Sequence, residues 1–440
     1  MMRRGAAWVA RALALALLLA APVAAREVVL AAGEPLPDLE PGDVVVLGAG
    51  VHPGPWVVDV ADVTLRGTGA VLDGGGTGSA LTLTAPGIVV EGLSIVGVGP
   101  VADLYAPDAA VAALGCHGCV LVGVGAQGAT TAVRIEDARG ARIEELRATG
   151  DGRGPGVTAY ETPGLVVQGG RLAGFLDGLY LERADGARVA DVTVERSVRY
   201  GLHVMFTVGV ELVGNRVVDG GVGSAVMYGR DARIEGNLLA GHRAPMAFGL
   251  LLQEEADARA TDNEVRGNSV GLLLVAAPGA RVDGGTIADN GVGALLQRPP
   301  VAGATASSVA IAGAAFEGNA ADVAVDDAEA ALTLHGNAFD RAPRLDLDGD
   351  GVVDVGYVAT SAFAARAARQ PDLALLAYGP GIALWGRLEA QVPGVRAAAF
   401  VDAAPRLASA VPRAPGAGIA ALGLAVGLVG LGAVAAWGRA

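Results

Sequence analysis

Six glycines, Gly178, Gly201, Gly223, Gly249, Gly271 and Gly293, recur at intervals of 23, 22, 26, 22 and 22 residues. A period of that length means a solenoid rather than a closed globule. Apolar residues follow the first five glycines at fixed distances. Val189, Leu212, Ile234, Ala260 and Val282 stand eleven positions on, and Val194, Val217, Leu239, Val265 and Ile287 sixteen. A third apolar run follows each glycine directly, as in Leu179-Tyr180-Leu181 and Leu250-Leu251-Leu252. Three short apolar strands per repeat, separated by Gly, Asn and Asp, make one coil of a three-sided parallel β-helix. The expected fold is therefore all-β: a single-stranded right-handed parallel β-helix of about a dozen coils. Asn215, Asn237 and Asn263 fall in register at one corner, where amide side chains can stack as a ladder.

The ends carry different signals. Residues 1–25 read as a signal peptide, with Arg3 and Arg4, an apolar run, and Val23-Ala24-Ala25 as the cleavage site. The β-helix is assigned to 26–340, an acidic calcium-like loop to 341–360 and a helical tail to 361–402. A linker at 403–417 and a C-terminal transmembrane helix at 418–437, uncharged throughout, complete the chain. The formal charge of −14, more negative once the leader's arginines are gone, excludes nucleic acid as a partner.

Alternation along a strand assigns side chains to the two faces of each wall. Leu202, Val204, Phe206, Val226 and Tyr228 are expected inward, and His203, Met205 and Met227 outward. Met205 and Met227 are 22 residues apart and share a column, so stacking brings two thioethers and an imidazole to one face. Such a set suits Cu(I), a soft ion. Leu251, Leu273, Val275 and Leu295 continue outward as an aliphatic stripe, with Met246 in a nearby insertion. An exposed stripe of this kind predicts a docking interface. Asp346, Asp348, Asp350 and Asp354 follow calcium-loop spacing, although Tyr357 replaces the usual bidentate Glu at the twelfth position. Cys116 and Cys119 form a C-x-x-C that reads as a small disulfide, or as a metal or redox pair with His117.

Catalysis is not expected. The outward column Glu182, Met205, Met227, Gln253, Val275, Gln297 holds no close carboxylate pair, and the neighbouring column is Arg188, Glu211, Arg233, Arg259, Arg281. The alternative is a polysaccharide-modifying β-helix enzyme (lyase, hydrolase or epimerase).

The segments Arg199-Tyr-Gly-Leu-His203-Val-Met205-Phe-Thr207, Gly223-Ser-Ala-Val-Met227-Tyr and Ile234-Glu-Gly-Asn237, then the Asp346 to Asp354 run and the Pro371 to Pro393 tail, resemble the NosD family. The resemblance implies a periplasmic β-helix that accompanies a NosY/NosF-like permease and ATP-binding subunit and a NosL-like copper chaperone. It implies a part in maturing the copper–sulfide centre of nitrous oxide reductase, without catalysis. His203, Met205 and Met227 then become a copper handoff point, and the tail carrying Leu373, Leu376 and Trp385 rests on the permease. The C-x-x-C and the C-terminal span depart from that pattern, and Asn337-Ala-Phe-Asp340 replaces an expected aromatic element.

Overall fold

In the computed structural model, residues 25–299, 305–361 and 400–408 are described, with isolated positions between 363 and 388. The chain winds into a parallel β-solenoid of about 13 turns. One wall is a stack of twelve parallel strands, one per coil, from Trp56–Val58 to Ala321–Val325. The other two walls take two short strands per coil, such as Arg188–Ala190 and Thr193–Glu195. They merge where Arg142–Gly150 and Val166–Ala173 run around the corner between them. Glu27–Leu30, paired with Val44–Leu47, already forms the first rung. At the strand spacing of about 4.8 Å, thirteen turns make a rod roughly 60 Å long.

Every wall points Val, Leu, Ile and Ala into one continuous core running the length of the rod. The repeating glycines have a steric cause. A Cβ on Gly178 would stand 2.3 Å from Val194, and one on Gly201 would stand 2.1 Å from Val217. The glycine at the start of the long wall is thus the contact that lets the third wall's valine pack behind it.

The corner ladder forms as the spacing predicts. The Asn215 amide donates to Asn237 at 3.0 Å, and Asn237 donates to Asn263 at 2.9 Å. A second ladder, Asn268, Asn290 and Asn319, runs along another corner. The final rung differs. Asn337 meets Asp402, which accepts from the Asn337 amide, its Nδ2 and the Gly336 amide.

The C-terminal assignments need correction. Val401–Asp402 is a strand paired antiparallel with Tyr357–Val358, so the helical tail does not extend to 402. Residues 403–408 are no free linker. Arg406 donates to the carbonyls of Gly336 and Gly313, and Leu407 to that of Gly351. Among the described residues of this stretch, helical positions are Phe363, Ala365, Arg366, Pro380, Gly381, Leu384, Trp385 and Leu388. The signal peptide through residue 24, Leu376 and the span 418–437 lie outside the described residues. Among the described residues no helix is long and apolar enough to cross a membrane.

Candidate functional site

The long wall carries the candidate site on its outer face. Strand register aligns Glu136, Tyr160, Glu182, Met205, Met227, Gln253, Val275 and Gln297 in one column. Two positions away, Tyr180, His203, Ala225, Leu251, Leu273 and Leu295 form the next. Met205 is the direct neighbour of Met227, and both thioethers are partly exposed. Leu202 and Val204 are buried in the core, which leaves His203 and Met205 on the outer side of the same strand.

His203 is not a surface imidazole. Only 6% of it is accessible, and its ring lies 4.4 Å from that of Tyr200 and 4.9 Å from that of Tyr180. Its Nδ1 stands 3.0 Å from Asp177 Oδ2. Asp177, fully buried, also accepts from Arg199 Nε at 2.8 Å, Arg199 Nη2 at 2.5 Å and the Tyr200 amide at 3.2 Å. Burial pushes this carboxyl up, but the bonds from Arg199 and His203 outweigh it and hold Asp177 below the usual aspartate range. An ionised aspartate only accepts, so Nδ1 is the ring nitrogen that donates to Asp177. This is the arrangement that orients a metal-ligating imidazole.

Beside it, the Tyr180 hydroxyl donates to the Glu182 carboxylate and lies 3.8 Å from Met205 Sδ. Burial and Glu182 push the Tyr180 phenol far up, so it stays protonated. Glu182 also accepts from Arg183 at 2.9 Å, and Arg183 donates to the Tyr160 hydroxyl at 2.8 Å. Tyr105, Glu136, Tyr160, Glu182 and Arg183 line an open cleft of about 490 Å³ next to the methionines.

From Glu136 to Val275, the residue after each member of the methionine column turns the corner with a left-handed backbone. Glu161, Arg183, Phe206, Tyr228, Glu254 and Ala276 have φ between +49° and +61°. This corrects the inward placement of Phe206 and Tyr228. Phe206 is 44% exposed, and the two rings stack on each other at 5.1 Å. Strand alternation ends at the corner, so extrapolating it one residue further turns both rings the wrong way.

The aliphatic stripe also needs correction. Leu251, Leu273, Val275 and Leu295 are buried within the chain itself, in a second apolar cluster outside the wall that Met227 and Met246 join at its edge. They do not form a free docking face. Of the helical-tail interface residues, Leu373 is half-buried and Trp385 exposed.

Asp346, Asp348 and Asp350 gather within reach of one another. Their oxygens, however, accept from the amides of Gly349, Gly351, Asp350 and Val352. Asp354 is turned to the Leu347 amide and stays out of the group. Cys116 and Cys119 are free thiols, fully buried in the core, rather than a disulfide. The Cys116 thiol is lowered by its hydrogen bond with Cys119, whose own is raised by the same bond. His117 is exposed and its Nδ1 accepts from the Arg139 amide, so it does not converge with the two sulfurs. Asp177, Arg199 and Tyr180 were not singled out by sequence reasoning. Their one signal is that Asp177 lies one coil before the His203 strand.

Residues 135–340 match the family model described as NosD, periplasmic copper-binding protein. Over that segment, a little under half of its length, the chain is similar to the NosD family. It is 36% identical over 139 residues to a Pseudomonas aeruginosa protein named probable ABC transporter binding protein NosD. That match covers 30% of this chain and 32% of the relative, so the chain spans about a third of the curated relative's length. Among solved structures it is similar to a PL6 alginate lyase complexed with a trisaccharide. The TM-score is 0.57 at 11% identity, over 72% of this chain and 86% of that one. It is also similar to a GH87 α-1,3-glucanase from Streptomyces thermodiastaticus, with TM-score 0.51 at 14% identity, over 71% and 68%. At these identities the likeness is one of fold.

Proposed function

We propose that this NosD-like chain is a periplasmic acceptor and docking protein for copper, serving maturation of the copper–sulfide centre of nitrous oxide reductase. The observation that carries the reading is the register of Met205 on Met227, with His203 two positions away on the same outer face. Copper is the cargo. Two thioethers and an imidazole nitrogen form a soft set that favours Cu(I) over hard cations. Asp177, itself held by Arg199, fixes His203 through Nδ1, and Tyr180 lies against Met205.

The working partners on this reading are a NosY/NosF-like ABC transporter, a NosL-like copper chaperone and the reductase. The relative's name as an ABC transporter binding protein, and the family's description as periplasmic and copper-binding, support it. The protein acts without catalysis. The two enclosed carboxylates on this face, Asp177 and Glu182, are engaged by Arg199 with His203 and by Tyr180 with Arg183 instead of standing free as an acid or base.

The test is competitive titration of the purified rod with Cu(I). Replacing both sulfurs, Met205→Leu with Met227→Leu, is expected to weaken binding at least about tenfold, since each removes a soft ligand and leaves the packing volume nearly unchanged. Equal affinity in the double variant removes these residues from the reading.

A further inference from the structure

We infer that Cys116 and Cys119 are a thiol–disulfide couple: the two free thiols seen here close on each other, by exchange with a disulfide oxidant, into a staple across one corner turn of the rod. The couple does not depend on the copper reading. It rests on the periplasmic part of the proposal above only for its oxidant, which that compartment supplies.

The turn sets the geometry. Cys116-His117-Gly118-Cys119, Ala138-Arg139-Gly140-Ala141, Thr162-Pro163-Gly164-Leu165 and Ala184-Asp185-Gly186-Ala187 are the same corner on four successive coils, each followed by strands in register. In each, the fourth residue's amide donates to the first residue's carbonyl, at 3.3, 3.3, 3.2 and 2.9 Å. The third residue is a glycine with φ between +66° and +71°, which makes the corner a type II turn. Such a turn holds its end Cα atoms within about 7 Å, and a disulfide joins Cα atoms about 4.4–6.8 Å apart. Both end residues of all four turns are fully buried, so their side chains enter the same core. Where neighbouring coils place Ala138 with Ala141 and Ala184 with Ala187, this coil places two sulfurs, already joined by a hydrogen bond between the thiols. Closing the S–S bond then takes rotation of two side chains and no movement of the backbone.

The surroundings favour a disulfide over a metal. The two cysteines belong to the continuous apolar core, and His117, between them, is exposed and accepts from the Arg139 amide instead of joining them. A metal held by two thiolates would bring charge into that core, whereas a disulfide is neutral and apolar. The step balances as an exchange. One cysteine, as thiolate, attacks a sulfur of the oxidant and forms a mixed disulfide, and the second cysteine then attacks that bond. One S–S bond forms in the rod as the oxidant's breaks, and two electrons and two protons pass to the oxidant, which leaves as thiol. Burial requires that this happen while the corner is open, as the coil winds. The closed form leaves the chain without a thiol, because it has only two cysteines. A soft ion then meets thioethers with no thiolate competing for it.

The experiment uses the full chain, reduced and then held with oxidised glutathione in denaturant just below its unfolding transition, where corners open. It is next unfolded in excess iodoacetamide and weighed. The expected product is two hydrogens lighter than the reduced chain, carries no glutathione and takes no alkyl group, and prior reduction lets it take two. Thiols that stay alkylatable, or that stop as glutathione adducts, overturn the couple. Cys116→Ala with Cys119→Ala supplies the pair that Ala138 and Ala141 form on the next coil, so this variant is expected to fold. Amide exchange around Ala109–Leu114 and Val120–Val122 is expected to be at least about threefold slower in the oxidised parent than in the reduced parent or the variant, and equal in all three around Val222–Met227. Equal exchange at the corner as well overturns the staple. A chain that closes in this assay but is recovered reduced from cells counts against the periplasmic reading and leaves the couple standing.

Discussion

At the scale of single residues, a buried charge matters more than an exposed one. Glu255 fills the corner position taken by Thr207 and Ser307 on other coils, where an oxygen accepts an amide from the preceding coil. Its Oε1 accepts from the Ala232 amide, but Oε2 has no partner. Burial pushes this carboxyl up to about 7. The sign follows from proton counts. Above the ordinary Glu value of 4.5 the unfolded chain gives up its proton while the folded chain keeps it, so the folded state binds more protons and stability falls with rising pH until about 7. We expect Glu255→Gln to abolish this slope and to stabilise the rod by about 2–3 kcal/mol at pH 8, with no gain at pH 4. Thermal melts across that range check it, and a parallel pH profile in the two proteins rejects it. The same contrast governs what could be read beforehand. His203, Met205 and Met227 were legible because alternation within a strand is a local rule. Asp177 was not, since its partners Arg199 and His203 stand 22 and 26 residues away and only the stacking brings them together.

At the scale of the element, the asparagine ladders hold the coils in phase, and phase is what creates the candidate site. A slip of one residue would turn Met205 and Met227 to opposite faces. Asn237 links three coils, accepting from Asn215 and donating to Asn263 and to the Leu212 carbonyl. We expect Asn237→Ala to cost about 2–3 kcal/mol, because it leaves buried donors and acceptors unpaired on both sides. Denaturant titration measures this, and a loss under 0.5 kcal/mol would show that the ladder is dispensable. The first ladder was visible in the sequence because its spacings match the repeat. The second was hidden by the 29-residue step from Asn290 to Asn319, where a longer loop interrupts the period. The aliphatic stripe failed for another reason. Alternation says that Leu251, Leu273 and Leu295 face away from the core, but it carries no information on whether the chain covers that face.

At the scale of the whole molecule, a solenoid's stability is a sum of coils and the contacts between neighbours, so an unprotected end frays. Here the chain returns to close that end. Asp402 stands where the next asparagine of a ladder would, taking the Asn337 amide at both its backbone and side chain. Arg406 crosses two coils, bonding the Gly336 and Gly313 carbonyls. Arg406, which sequence composition marks as part of a tether, therefore acts as a clasp, because the carbonyls it bonds lie 70 and 93 positions away and leave no local pattern. We expect Asp402→Ala with Arg406→Ala to open the last coils while sparing the middle of the rod. Amide exchange should quicken at least about tenfold around Ala315–Glu317 and Ala331–His335, and stay unchanged around Tyr200–Met205. Cu(I) affinity should also be unchanged, since three rungs of the long wall lie between Val222–Met227 and the end strand Ala321–Val325. Global loss of protection would mean that the rod unfolds as one unit. The clasp would then stabilise the methionine site directly, and the independence of coils assumed throughout would be wrong.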